Sequence, residues 1–124
     1  MFIEYNPNPH NKNVGDCVIR AVSKALNQSW ERSYSDLCSI GQRMKDMPNA
    51  NHVWGSYLKQ HGFRRNVIPD TCPDCYTVRE FCVEHPDGVY VLSTGDHVVA
   101  VRNGNHYDTW DSGDEVPQYY WRRM

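Results

Sequence analysis

The 124-residue chain has no apolar run approaching the roughly 20 residues that a membrane-spanning helix requires, which excludes a helical span. Its first residues, Met1-Phe2-Ile3-Glu4-Tyr5-Asn6-Pro7, lack the basic start and apolar core of a secretory signal, so none is expected. No charge of one sign dominates either. A net charge of −2 and a pI near 6.3 leave no electrostatic footprint for nucleic acid or an anionic membrane, and Trp121-Arg122-Arg123 is too short a basic run to supply one. Internal repeats, low-complexity tracts and linkers are missing, so residues 1–124 are expected to form a single domain. With 40% hydrophobic and 23% charged residues the composition is that of a soluble globular protein, and a cytoplasmic one is expected.

Cysteine is present but in an odd number, at 17, 38, 72, 75 and 82, so at least one thiol stays unpaired. In a reducing compartment such thiols serve catalysis, metal binding or packing. Cys72-Pro73-Asp74-Cys75 supplies half of a zinc site, with Cys38, Cys82 or His85 as completing ligands. A second Cys-x-x-Cys is lacking, as is a closely spaced histidine pair, so the metal signal is weak. The strand opening that a redox Cys-x-x-Cys needs is lacking too. No metal and no cofactor is assigned; Cys75 and Cys82 are read as packing residues around a helix entry.

What is present is a sharp helix start. After Gly15-Asp16-Cys17, the apolar residues Val18, Ala21, Val22 and Ala25 recur at helical spacing with Leu26 beside them, giving an amphipathic helix over about 16–27. Asp16 stands where an N-cap belongs, its carboxylate expected to accept from the first-turn N–H groups. Cys17 then lies at the positive end of the helix dipole, where a thiolate is stabilised and the thiol pKa falls. A second helix is expected from Trp30 to about Asp46, capped by Ser29, with Gly41 a mild weakness. A third runs over about 51–61, with Gly62 as its stop.

Beyond Gly62 the pattern changes. A short strand is expected over Arg64–Ile68, a loop over Asp70–Asp74, and a two-turn helix over Val78–Glu84 capped by Thr77. Strand-like alternation follows over Val89–Ser93, His97–Arg102, His106–Trp110 and Gln118–Arg122. Residues 1–14, rich in Asn and Pro, read as an extended lead-in. Helices first and an antiparallel meander second make the fold class α+β.

Asn103-Gly104 between two alternating runs is a strong hairpin signal. A two-residue turn there sets Val99 opposite Asp108 and His97 opposite Trp110, and puts residues 97, 99, 101, 106, 108 and 110 on one face. Asp108 is then a diagonal neighbour of His97. Asp111 falls on the other face unless a bulge at the strand end turns it. Either carboxylate can fix the imidazole and leave its other nitrogen for a thiolate, which is the logic of a nucleophile, a base and an orienting acid.

The order Asp-Cys-x-x-Arg-Ala, a helical half, Gly-x-His-Val-Val-Ala-Val and Tyr-Asp-Thr-Trp-Asp-Ser resembles the papain-like cysteine peptidase superfamily. The likeness is to its small bacterial branches, such as the bacteriocin-processing peptidases, and to small bacterial and bacteriophage proteins. It spans about residues 11–121. The resemblance implies a papain-like fold, with N-terminal helices packed on a C-terminal antiparallel sheet. It implies Cys17 as nucleophile, His97 as general base, and Asp111 or Asp108 as the orienting group. The family's oxyanion glutamine, about six residues before the cysteine, falls on Asn11, with Asn13 nearby. The implied chemistry is that of a hydrolase (a thiol protease or amidase) or an acyltransferase working through a thioester on a peptide, amide or thioester substrate. The aromatic that follows the family's cysteine is replaced by Val18, and long cleft insertions are absent.

A second function class is a non-catalytic module that keeps this scaffold and holds a peptide, a small ligand or a protein partner. The remaining histidines, His10, His52, His61, His85 and His106, have no ligand spacing and are read as solvated, with His106 sharing the His97 face. Asp108, Asp111, Asp114 and Glu115 taken alone read as a solvated acidic turn. Trp54, Trp110, Tyr119, Tyr120 and Trp121 are read as core or cleft wall.

Overall fold

Each helix begins where a short polar side chain can serve its free N–H groups, or where the chain simply turns in. The computed structural model describes residues 1–69 and 75–124. Helix α1 spans Cys17–Leu26, α2 Trp30–Met44, α3 Asn51–Gln60 and α4 Val78–Glu84. Ser29 Oγ accepts from Arg32 N at 3.1 Å, and Thr77 Oγ1 from Glu80 N at 3.2 Å, as their positions imply. Asp16 does not act this way. No side chain caps α1, because the Asp16 carboxylate is drawn sideways to Arg20 and to Trp30 Nε1 (2.9 Å).

The strands are β1 (Phe2–Glu4), β2 (Phe63–Val67), β3 (Val89–Ser93), β4 (Val98–Arg102), β5 (Asn105–Asp108) and β6 (Tyr119–Arg123). They form one sheet in the order β1-β5-β4-β3-β6-β2. Asn103 (φ 51°) and Gly104 (φ 77°) make the tight turn between β4 and β5, with Val101 opposite His106 and Ala100 opposite Tyr107, as the Asn-Gly signal implies. The architecture is α+β, with two departures from expectation. The sheet is mixed rather than antiparallel throughout, because residues of the lead-in form β1, parallel to β5. Nor does the meander continue, since β6 leaves β5 and inserts between β3 and β2.

Two apolar layers sandwich the sheet. Helices α1, α2 and α3 cover one face, where Val22, Ala25, Leu37, Val53, Trp54 and Leu58 pack on Val91, Val98 and Ala100. Helix α4 covers the other, with Val78 and Phe81 on Leu92, Val99 and Val101. Alternation along β4 thus serves both layers, and fully burying an aliphatic side chain contributes about 1.5–3 kcal/mol each. Gly41 is better explained by space than as a weakness. A Cβ there would stand 2.7 Å from Asp46 O and 3.3 Å from Pro48 N, where the chain folds back over the end of α2. Among the described residues no helix is long and apolar enough to cross a membrane. The Cys72 half of the zinc motif, and the expected loop over 70–74, lie outside the described residues.

Candidate functional site

Cys17 is the first residue of α1, half-buried, and lines the same cleft as His97, which acts on its thiol. His97 precedes β4. Its carbonyl accepts from Thr94 N at 2.9 Å, so it belongs to the turn that leads into the strand. That turn frees its side chain from strand alternation. His97 therefore meets α1, whereas Val99 and Val101 face α4, and the expected common face of 97, 99 and 101 does not form.

His97 Nε2 donates to Asp108 Oδ2 across 2.6 Å. With that nitrogen committed, Nδ1 is the one left to meet the sulfur. Asp108 is 1% exposed and fully occupied. Its Oδ2 also accepts from Ser112 Oγ at 2.7 Å, and its Oδ1 accepts from Thr109 N at 2.8 Å and from an Arg20 terminal nitrogen at 3.1 Å. Asp108 is thus no solvated turn residue. Asp111, the other candidate, accepts from His106 Nε2 at 2.9 Å and from Gly113 N at 3.0 Å, and does not touch His97.

The electrostatics favour an ion pair. Burial is the largest single influence on the Cys17 thiol and opposes its ionisation. The hydrogen bond with His97, a backbone hydrogen bond from Val98 and the positive charges of His97 and Arg20 together outweigh it, and the thiol pKa lies below its ordinary value. Burial likewise opposes the imidazolium. The hydrogen bonds to Asp108 and Cys17 overcome it, and the His97 pKa is pushed up to about 9. Asp108 sits below the usual carboxylate range: burial works against it, and His97 and Ser112 more than compensate.

A cleft of about 480 Å³ opens on this array. Its wall includes Cys17, Arg20, His97, Asn13, Asn49, Asp96 and Trp110. Trp110 stands over the imidazole, ring centroids 5.0 Å apart. Asn11 is not part of this wall. It is exposed, in the left-handed region at φ 53°, and its Oδ1 faces Asn6 Nδ2 at 3.5 Å. The asparagines on the cleft wall are instead Asn13 and Asn49.

Three residues of the site carried no assigned role in the sequence. Arg20, 5% exposed, bridges Asp16 and Asp108; its i,i+4 spacing from Asp16 was the available signal. Asn49 had none, since it reaches the site only through tertiary folding, and Ser112 bonds Asp108 across a four-residue turn that strand alternation does not foretell. His106 also departs from expectation: it is fully buried, between Asp111 and Cys82 Sγ, the latter 3.9 Å from its Nδ1. Comparison of the chain with protein-family models, curated proteins and solved structures gave no match.

Proposed function

We propose that the chain is a cysteine-dependent hydrolase or acyltransferase of papain-like fold, with Cys17 as nucleophile, His97 as acid and base, and Asp108 as the group that orients the imidazole. The observation that carries the reading is that Cys17 and His97 share one cleft wall while His97 bonds the buried Asp108 carboxylate at 2.6 Å. Helices over one sheet face, with the cysteine at a helix start and the histidine at a strand entrance, suit that fold. Cys17, Cys38 and Cys82 are free thiols, which suits a reducing, cytoplasmic setting.

The steps follow from the geometry. The Cys17 thiolate adds to the carbonyl of a peptide, amide or thioester, forming a C–S bond and placing negative charge on the carbonyl oxygen. The first-turn N–H groups of α1 are left without a side-chain cap and point where that charge develops. A wall amide, Asn13 or Asn49, supplies a second donor in place of Asn11. Losing one such donor typically costs about 10²–10³ in rate. His97 then gives its proton to the leaving amine or thiol as the tetrahedral centre collapses to a thioester. Water, or an acceptor amine or thiol, attacks the thioester while His97 takes up its proton, and Cys17 is released.

Site-resolved alkylation tests this. Iodoacetamide should modify Cys17 well below pH 8 and faster than Cys38. His97→Ala should remove that advantage, and Asp108→Asn should lower the upper pKa of the profile from about 9 toward 6.5. A Cys17 that titrates like an ordinary thiol would overturn the proposal and leave a binding module on the same scaffold.

A further inference from the structure

The ionised groups around Cys17 are largely paired with one another. Arg20 is shared between Asp16 and Asp108, and His97 lies between Asp108 and Cys17. One carboxylate on the cleft wall stands apart. Asp96 is exposed, accepts only from Thr94 Oγ1 at 3.1 Å, and has no cationic partner among the described residues. Opposite its neighbour His97 is Trp110, an indole left 46% exposed at the cleft rim although it is among the largest apolar side chains in the protein. An unpaired carboxylate and an open aromatic face on one cleft are the two elements that recognise an organic cation, one by charge and the other by its ring quadrupole. Among the described residues the wall has no free cationic side chain to hold an anionic flanking group: the Arg20 guanidinium is buried and spent on two aspartates, and His97 is held between Asp108 and Cys17.

From these features we infer that the cleft selects substrates carrying a lysine or arginine side chain next to the scissile carbonyl, with the cationic end held between Asp96 and Trp110. The inference rests on Cys17 being the nucleophile, and deepens that reading by naming the substrate class. Asp96 and Trp110 act here as specificity residues: they hold the flanking side chain and take no part in bond making.

Amino-acid chloromethyl ketones with lysine, norleucine or glutamate side chains test it directly. Each places a side chain beside a carbonyl, and alkylation forms one S–CH₂ bond with loss of chloride, so peptide mapping by mass spectrometry reads the rate at Cys17. The lysine reagent should react about tenfold or more faster than the glutamate reagent, with norleucine between them. In Asp96→Asn, which keeps an acceptor for Thr94, the lysine-to-glutamate ratio should fall at least threefold; in Asp96→Lys it should invert. Norleucine reacting fastest, or a ratio unchanged in Asp96→Asn, would overturn the inference while leaving Cys17 as nucleophile. If no reagent labels Cys17 faster than Cys38, the catalytic reading fails and this inference falls with it.

Discussion

Arg20 offers the most demanding test of how the site is held. Its two terminal nitrogens bind the carboxylates of Asp16 and Asp108, the latter at 3.1 Å, and the three side chains are 6%, 3% and 1% exposed. Replacing it with methionine keeps most of the apolar volume but leaves the buried Asp16 carboxylate without a cation and Asp108 with His97 alone. Breaking a buried pair by removing one partner costs about 3–5 kcal/mol, because the remaining charge cannot return to water. Against a total stability of about 5–15 kcal/mol for a domain, that is a large fraction. It corresponds to a fall in Tm of roughly 10–20 °C at this chain length. Urea unfolding at neutral pH should show the loss as a lower midpoint with an unchanged slope. The penalty should shrink in acid once the Asp108 carboxyl, held below the usual carboxylate range, is protonated and needs no cation. Arg20→Lys should recover only part of the loss, because one ammonium cannot reproduce a fork that serves two acids. The Cys17 thiol should also move up in Arg20→Met, the Arg20 charge being one of the influences that lowers it. A loss under about 1 kcal/mol, or one that does not depend on pH, would refute the reasoning.

Two further outcomes follow from the same site and from α2. His97 is raised from 6.5 to about 9, so its contribution to stability is complete below pH 6.5 and is lost as pH rises to 9. Cys17 is lowered from 9.0, so its contribution is present above pH 9 and is lost as pH falls through the lowered value. The two slopes oppose each other. Wild-type stability should fall less steeply toward pH 9 than that of Cys17→Ala, which lacks the opposing thiol; equal slopes in the two proteins would contradict the ion pair. Gly41→Ala should destabilise by about 1–3 kcal/mol in thermal unfolding, although alanine is the better helix former by about 1 kcal/mol, because the added Cβ meets Asp46 O at 2.7 Å. A stabilised variant would show that the fold-back over α2 yields easily.

What could be read from the chain divides along locality. Helix α1 and its cysteine, the Ser29 and Thr77 caps and the Asn103-Gly104 turn are written within a few neighbouring residues, and the structure places them where local rules do. Strand β1 is three residues long and pairs with β5 a hundred positions away, so nothing near it announces a strand. The insertion of β6 between β3 and β2 is equally non-local. At the site, hairpin register brought Asp108 within reach of His97, but strict alternation misassigned the faces. His106 and Asp108 should point the same way. The last rung between β4 and β5 is Ala100–Tyr107, and beyond it Asp108 pairs with Glu4 of β1 and turns its carboxylate toward Arg20. Alternation holds only while a ladder enforces it.

The other face of the sheet supplies an internal control. Cys82, His106 and Asp111 repeat the residue types of the site: the sulfur lies 3.9 Å from His106 Nδ1, and His106 Nε2 bonds Asp111 at 2.9 Å. Yet burial pushes the Cys82 thiol up, while that of Cys17 comes down. Neighbours account for much of the difference, since His97, Val98 and Arg20 act on the Cys17 sulfur and Cys82 has no equivalent set among the described residues, and placement adds to it. Cys17 opens its helix, where the dipole favours an anion, and faces a cleft; Cys82 sits past the middle of α4, toward the end where the dipole opposes one, and is 3% exposed. The acids differ as well, since Asp108 is buried and four-fold bonded, whereas the Asp111 side chain is 49% exposed and half spent on its own turn. Residue types alone therefore do not set the direction in which a thiol pKa moves here; its surroundings do. In the native protein at neutral pH, iodoacetamide should label Cys17 quickly and leave Cys82 untouched, and the two should react alike only after denaturation. Native labelling of Cys82 at a comparable rate would mean that proximity to an imidazole suffices, and that the helix start and the cleft have been given a role they do not have.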